Sequence, residues 1–94
     1  MRYKVSYGKH SRTDRWGHFL PEDQQPPRYE KWFSSLTEAM AFAANIAQTH
    51  KKRYYANIFD YEGPKDEFND TTWCVGGWDK GVYYPNDAYL RAIK

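Results

Sequence analysis

Cysteine is almost absent from this sequence, and so are the long apolar runs that mark membrane segments. The one cysteine, Cys74, cannot form a disulfide within the chain and is too few for a zinc-thiolate site. No apolar run approaches the ~20 residues that a membrane-spanning helix needs. The opening stretch, MRYKVSYGKH, lacks the apolar core of a signal peptide. These absences predict a cytoplasmic protein in a reducing compartment.

The residue patterns of enzymes and metal sites are also missing. The histidines, His10, His18 and His50, have neither helical H-x-x-x-H spacing nor zinc-finger spacing. The acidic segment 60–70 lacks the D-x-D-x-D-G order of a calcium loop. Cys74 follows one large apolar residue and precedes another on a predicted strand, which favours a buried and unreactive thiol. We therefore expect no enzymatic activity, no catalytic residue, no metal and no cofactor.

Aromatic residues are what the sequence has in excess, since nine Tyr, five Phe and four Trp make up 19% of the 94 residues. A chain of this length buries only somewhat more than ~60% of its unfolded surface, so it has room for one core. We predict a single domain over residues 1–94. Tyr and Trp combine a large apolar body with a polar tip, so they suit a surface that is wet when free and buried when bound.

Charge is distributed unevenly along the chain. The net charge is only +2. Segment 1–18 nevertheless carries five cationic side chains against one carboxylate, whereas segment 60–70 carries five carboxylates against one lysine. A basic arm and an acidic loop in one small domain favour oriented docking on a partner over general binding to polyanions. The alternative is that both segments are simply solvated loops.

Alternation and turn signals predict the order ββαββ with a short C-terminal helix. Apolar and polar residues alternate over residues 2–7, and Pro26-Pro27 excludes a strand or helix at the end of the long loop that follows. We expect strands over 2–7, 28–33, 53–61 and 71–78, a short fifth strand over 81–84, and a helix starting at Pro85-Asn86. The fold class is therefore α+β, with an antiparallel four- to five-stranded sheet and one main amphipathic helix on one of its faces.

The main helix has the clearest signal. Ser35 and Glu38 form an S-x-x-E capping box, which satisfies orphan amides at a helix start. At 100° per residue the apolar side chains that follow fall within one arc of a helix of about four turns. This arc consists of Leu36, Ala39, Met40, Phe42, Ala43, Ile46, Ala47 and His50.

The strand over 53–61 carries large side chains on both of its faces. Alternate residues of a strand point to opposite sides. We predict that Tyr54, Ala56 and Ile58 face the helix together with Val5. A register shift of one residue would exchange the two faces, so the pattern leaves open whether Tyr54 or Tyr55 faces the core. The opposite face is expected to hold Tyr55, Phe59 and Tyr61, joined by Trp73 and Val75. A face exposed to water is usually polar, so this second face needs an occupant.

Three occupants fit the sequence. The chain itself could cover the face, either with Trp16 and Phe19 of the 8–27 loop or with Tyr89 and Ile93 of the last helix. A protein partner, including a second copy in a homodimer, could dock on it, because Tyr, Trp and Arg most often anchor interfaces. A single-stranded nucleic acid could stack its bases there, with nearby Lys and Arg contacting the phosphates.

In size, lone cysteine and aromatic content the chain resembles small accessory proteins of bacteriophages and other mobile elements. That resemblance implies a viral or phage inhibitor that blocks host machinery, as anti-CRISPR and anti-restriction proteins do. We predict a non-enzymatic protein-binding domain that occupies a functional surface of a larger host complex or associates with itself. The alternative is a single-stranded nucleic-acid-binding protein. The predicted partner-binding residues are Tyr55, Phe59, Tyr61, Trp73, Arg12, Arg15, Lys51 and Lys52.

Overall fold

A computed structural model describes residues 1–50 and 53–94, and its architecture is α+β as expected. The strands are β1 (Tyr3–Lys9), β2 (Arg28–Phe33), β3 (Tyr54–Asp60), β4 (Trp73–Asp79) and β5 (Val82–Pro85). The helices are α1 (Leu36–His50) and α2 (Asp87–Ala92), and a single 3₁₀ turn (Glu22–Gln24) lies in the loop before β2. The predicted order is confirmed, with the fifth strand present and this turn added.

The five strands form one antiparallel sheet in the order β2-β1-β3-β4-β5. Strand β1 pairs with both β2 and β3, so these two strands run in the same direction on either side of it. Helix α1 connects β2 to β3 across one face of the sheet and packs mainly on β3 and β1. Within the described residues no helix is long and apolar enough to cross a membrane.

The predicted capping and apolar arc place α1 correctly. The Glu38 amide donates to the Ser35 hydroxyl at 3.4 Å, which satisfies one of the free amides of the first turn. Ala39, Ala43 and Ala47 are buried against the sheet. Small side chains at this spacing let the helix approach the sheet closely, while the larger members of the arc flank the contact. His50 ends the helix with its ring stacked on Tyr54 at 3.9 Å.

The face of β3 that was predicted to be the core is the one that contacts α1. Val5, Ala56 and Ile58 are fully buried there. Helix α2 lies on the same face, because Tyr89 belongs to the same buried cluster and packs beside Trp73. Both helices therefore lie on one side of the sheet, and we call the opposite side the outer face.

The predicted orientation of β4 is wrong. Trp73 lies in the core with 3% of its surface exposed, and its indole N–H donates to the Pro64 carbonyl at 2.6 Å. Val75 is buried as well, whereas Cys74 is exposed. The physical reason is an irregularity in the β3–β4 pairing, where Phe59 pairs with Cys74 but Ile58 pairs with Gly76. The additional residue in β4 is typical of a β-bulge, and it shifts the alternation so that Trp73 and Trp78, five positions apart, both lie on the side of the core.

An ion pair between Arg2 and the buried Asp60 lies at the end of the sheet where β3 ends. The carboxylate of Asp60 is fully buried and accepts hydrogen bonds from Arg2 Nε at 2.7 Å and Arg2 Nη2 at 2.9 Å. It also accepts from the Glu62 amide at 2.9 Å and from the Tyr89 hydroxyl at 2.8 Å. Burial raises the pKa of Asp60, but these hydrogen bonds lower it more, so the pKa lies below its usual value. The ion pair links Arg2, just before β1, to the end of β3, and the hydrogen bond from Tyr89 links helix α2 to the same carboxylate.

Candidate docking surface

The outer face is organised as rows of side chains that run across the strands. The register places Ser6 of β1, Asn57 of β3 and Gly77 of β4 side by side in the middle row, with Tyr84 of β5 beyond Gly77. The Asn57 side chain lies over Gly77, because a Cβ at position 77 would overlap its Oδ1 atom. The side chains of the middle row are small or polar, so the centre of this face is recessed relative to the aromatic side chains on either side of it. We call this row the central groove.

Tyr55 forms one wall of the central groove. Its register partner on β1 is Gly8, and its hydroxyl lies 3.7 Å from where a Gly8 Cβ would be, so the ring extends over the glycine. Arg28 follows in the same row on β2, paired with Gly8. The bare backbone at Gly8 therefore gives Tyr55 a place to lie against the sheet.

The opposite wall is an aromatic cluster built around Lys4. The ammonium lies 5.9 Å from the ring centre of Trp32, 5.4 Å from that of Phe59 and 5.2 Å from that of Tyr61. It also lies 3.5 Å from a carboxylate oxygen of Glu30. Hydrogen bonding to Tyr61 is the main cause that raises the pKa of Lys4, and burial opposes it. The Lys4 ammonium is mostly covered and makes cation–π contacts with the three aromatic rings. These contacts hold the three aromatic side chains together.

The two walls enclose an open cavity of about 390 Å³ on the outer face. It is lined by Ser6, Ser11, Arg28, Tyr55, Asn57 and Phe59. A second cavity of about 280 Å³ lies where Tyr55 and Arg28 meet Phe19 and Leu20 of the long loop. The outer face therefore offers a concave surface with aromatic walls and polar groups at its base, which is a common composition for a binding site.

Neither predicted internal cover lies across this surface in the part of the chain that the structure describes. Trp16 is 68% exposed and Phe19 is 75% exposed, so neither of these side chains is buried against the sheet. The alternative in which these two residues cover the second face is therefore wrong. Tyr89 is in the core on the other side of the sheet, and Ile93 is largely exposed.

The predicted partner-binding residues separate into distinct places. Tyr55, Phe59 and Tyr61 lie together on the outer face, whereas Trp73 lies in the core and is not available as an anchor. Arg12 and Arg15 are exposed on the 8–27 loop. Lys51 and Lys52 lie outside the described residues.

Several residues of the outer face are not among the predicted partner-binding residues. These are Lys4, Asn57 and Trp32, which line or flank the central groove, and Arg28 and Tyr84 at its margins. Alternation in the first two strands was a usable signal, because it placed Lys4 opposite Val5 and Trp32 opposite Phe33. Which of these residues meet on one face depends on the order β2-β1-β3, which no local pattern reveals.

Among the described residues no group of three His, Cys, Asp or Glu side chains could hold a metal ion. The Cys74 thiol donates to the Gly76 carbonyl at 3.8 Å, and desolvation raises its pKa. A thiol of this kind forms little thiolate near neutral pH.

No protein-family model matches the chain, and neither the curated proteins nor the solved structures include a significant match.

Proposed function

We propose that this chain is a non-enzymatic protein-binding domain that docks a partner protein on its outer face. The observation that carries the proposal is the concave aromatic surface of the sheet, which neither helix covers. Antiparallel sheets that face water are usually polar on that side. Here the exposed side holds Trp32, Phe59, Tyr61 and Tyr55, and Tyr84 is 59% exposed at its margin.

Charge on the outer face supports a protein partner over a nucleic acid. The Lys4 ammonium is engaged by Glu30 and by aromatic rings instead of being presented to solvent. Arg28 lies 3.9 Å from Glu22, so its charge is partly balanced as well. Affinity for nucleic acid depends on cations that release counterions from phosphates, and a face with balanced charge supplies few of them.

The spacing of the two walls also favours a protein. Tyr55 and Phe59 are four residues apart on one strand, which separates them by about 13 Å. Consecutive bases of a stacked strand are only ~3.4 Å apart, so these rings do not form adjacent stacking platforms. A groove of this width instead accepts a bulky side chain or a turn of polypeptide between two aromatic walls.

The size of the surface indicates how far a partner must extend. Strands about 4.8 Å apart and about 20 Å long give the five-stranded face a projected area on the order of 400 Å². A standard interface covers about 800 Å² on each partner. We infer that the contact continues from the groove onto the long loop, where Arg12 and Arg15 steer the encounter. A protein of this kind inhibits its partner when the surface that it covers is a functional one.

The experiment compares crosslinking from the outer face with crosslinking from the opposite side. A photoreactive amino acid is placed at Tyr84 in one variant and at Gln48, on the solvent side of α1, in the other. After illumination in the source cells, the outer-face probe is expected to trap a defined protein that the helix probe does not trap. Adding Trp32→Ala to the outer-face variant should reduce the yield about tenfold, as expected for an aromatic anchor worth about 1.4 kcal/mol or more.

Each alternative gives a different result. If Trp32→Ala leaves trapping unchanged, the outer face is not the binding surface and the proposal is wrong. The nucleic-acid alternative is tested by NMR titration with a mixed-sequence single-stranded oligonucleotide. Shifts at Tyr55, Phe59 and Tyr61 that weaken steeply with salt would replace a protein partner with a nucleic acid.

A further inference from the structure

The long loop before β2 contains a rigid hairpin, residues 12–20, which projects from the sheet. Asp14 holds its turn, since one carboxylate oxygen accepts from the Trp16 amide at 2.9 Å and from the His18 amide at 3.0 Å. The Asp14 amide in turn donates to the His18 carbonyl at 2.8 Å. Gly17 adopts a φ of +83°, a conformation that suits glycine at this place in the turn.

Gln25 fixes the base of the hairpin. Its side-chain amide donates to the carbonyls of Arg12 and Leu20 at 3.1 and 2.9 Å, one on each arm. Its carbonyl oxygen accepts from the Arg12 amide at 2.7 Å. With its backbone fixed in this way, the hairpin loses little conformational entropy when it binds.

The hairpin presents a basic and aromatic tip. The Arg15 guanidinium lies 4.2 Å from the ring centre of Trp16, which keeps the exposed indole in place. Arg12 is also exposed. The hairpin has one carboxylate, on Asp14, which is half-buried and turned to backbone amides, so the net charge of the hairpin is +1 and both of its cations are on exposed residues.

The loop between β3 and β4, residues 62–70, is the acidic counterpart of this tip. Phe68 at its turn is 86% exposed, and Glu62, Glu67 and Asp70 are exposed residues of the same loop. Lys65 lies 3.9 Å from Asp70 and balances part of this charge, which leaves the loop acidic overall. Asp66 holds the turn as Asp14 does in the hairpin, by accepting from the Phe68 amide at 2.7 Å and the Asn69 amide at 3.0 Å.

These two structures lie at opposite ends of the molecule. The hairpin follows Lys9, which pairs with Tyr54 at one end of the sheet, and the acidic loop follows Asp60, which pairs with Tyr3 at the other end. The long axis of the molecule measures 44 Å. The basic tip of one chain therefore has no means of reaching its own acidic loop.

We propose that the chain associates with itself head to tail, with the basic hairpin of one copy docked on the acidic loop of the next. The occupant is a second copy because the chain itself supplies the complementary surface, with opposite charge and with an exposed ring on each side. Such a contact is heterologous and joins copies in a row or a ring. The inference goes beyond the proposed function, because this arrangement leaves the groove and the aromatic walls of the outer face free. A partner that also contacts Arg12 and Arg15 competes with the second copy for the hairpin.

The contact is small, so the expected association is weak and sensitive to salt. Each side contributes one loop, which is well below the area of a standard interface. Exposed charges attract one another strongly at low ionic strength and are screened within ~10 Å at 0.1 M salt. In roughly 25 mM salt, we expect the average molecular mass to rise as the protein concentration is raised from about 10 µM to about 500 µM. In roughly 500 mM salt, we expect a monomer of 11.2 kDa over the same range.

The test uses two neutralised variants in sedimentation experiments. The hairpin variant carries Arg12→Gln and Arg15→Gln, and the loop variant carries Glu67→Gln and Asp70→Asn. The side chains of Asp14 and Asp66 are retained, so both turns keep their hydrogen bonds. Each variant alone should be monomeric at low salt because it lacks one of the two complementary surfaces.

Mixing the two variants distinguishes head-to-tail association from other kinds of association. Each supplies the surface that the other lacks, so the mixture should form a complex limited to one copy of each. Wild-type protein that stays monomeric at low salt would overturn the proposal. Association that survives in both single variants would overturn it as well, because another surface must then be responsible. A Trp32→Ala variant should associate as wild type does, so failure here leaves the proposed use of the outer face intact.

Discussion

Replacement of Asp60 by asparagine should destabilise the fold by about 3 kcal/mol. Each carboxylate oxygen accepts two hydrogen bonds, one oxygen from Arg2 Nε and the Glu62 amide and the other from Arg2 Nη2 and the Tyr89 hydroxyl. Asparagine replaces one oxygen by an NH₂ group, which then faces two donors whichever way the amide is turned. Two hydrogen bonds to a buried carboxylate are lost, one of them from the Arg2 guanidinium. This loss accounts for a cost of this size even though Arg2 is partly exposed and regains water.

The measurement is urea unfolding followed by circular dichroism, which gives the free energy of unfolding. Two variants calibrate the result. Tyr89→Phe removes one hydrogen bond and leaves three donors on the carboxylate, so its cost should be about 1.5 kcal/mol. Asp70→Asn makes the same chemical change on an exposed residue and should cost less than about 0.5 kcal/mol. A value for Asp60→Asn within about 0.5 kcal/mol of wild type would refute the assignment of this ion pair as a major stabilising contact.

The same group predicts how stability depends on pH. Because the pKa of Asp60 is lower in the folded protein than in the unfolded chain, its contribution is present above about pH 4 and is lost as pH falls through the folded value. Burial and the hydrogen bond to Asp60 raise the pKa of Tyr89. Its contribution is therefore complete below about pH 10 and is lost at higher pH, as the folded value is approached. Tyr89→Phe should remove most of the alkaline dependence, and an unchanged alkaline profile in that variant would contradict this assignment.

Three further predictions follow from local geometry. Gly76→Ala should destabilise the fold by about 2 kcal/mol, because the new Cβ would meet the confined ring of Tyr83. Gly77→Ala should cost no more than about 1 kcal/mol, because its Cβ displaces only the amide end of Asn57 on the outer face. Equal costs of the two variants in urea unfolding would contradict this difference. Cys74 should react with a thiol reagent in the native protein, more slowly than a free cysteine at neutral pH because its pKa is raised, and protection until global unfolding would show that it is buried. Gln25→Ala should destabilise by about 1 to 2 kcal/mol and speed hydrogen exchange of the Leu20 amide, and unchanged exchange would show that the side chain does not hold the hairpin.

Local signals predicted the elements of this fold well. The capping box and the apolar arc of α1 depend on residues within a few positions of one another, and the predicted bounds of β2 follow directly after Pro26-Pro27. Asn86 was part of the expected start of the last helix, and its side chain accepts from the Ala88 amide at 3.1 Å. Hydrogen-bonding and helical periodicity act over one or two turns, so the sequence carries this information directly.

The placement of β4 was beyond local reasoning. Alternation by itself treats Trp73 and Cys74 symmetrically, and a shift of one residue exchanges the faces of a strand. The bulge opposite Ile58 decided that Trp73 enters the core and that Cys74 is exposed. That irregularity depends on pairing with a strand more than ten residues away, which no window of neighbouring residues contains.

The sequence by itself determined the α+β class, the helix and its buried side, and the opposite charges of two segments. It left open which side of β3 faces the helix, because a shift of one residue exchanges the two sides. Only the tertiary structure decided that Lys4 is surrounded by the rings of three aromatic residues, that the outer face is left open by both helices, and that the basic hairpin and acidic loop lie at opposite ends. The physical reason is the separation along the sequence over which each kind of interaction acts. Propensity, capping and periodicity act between neighbours in the chain, whereas strand order and register bring together groups that are distant in sequence, and a docking surface is made of such groups.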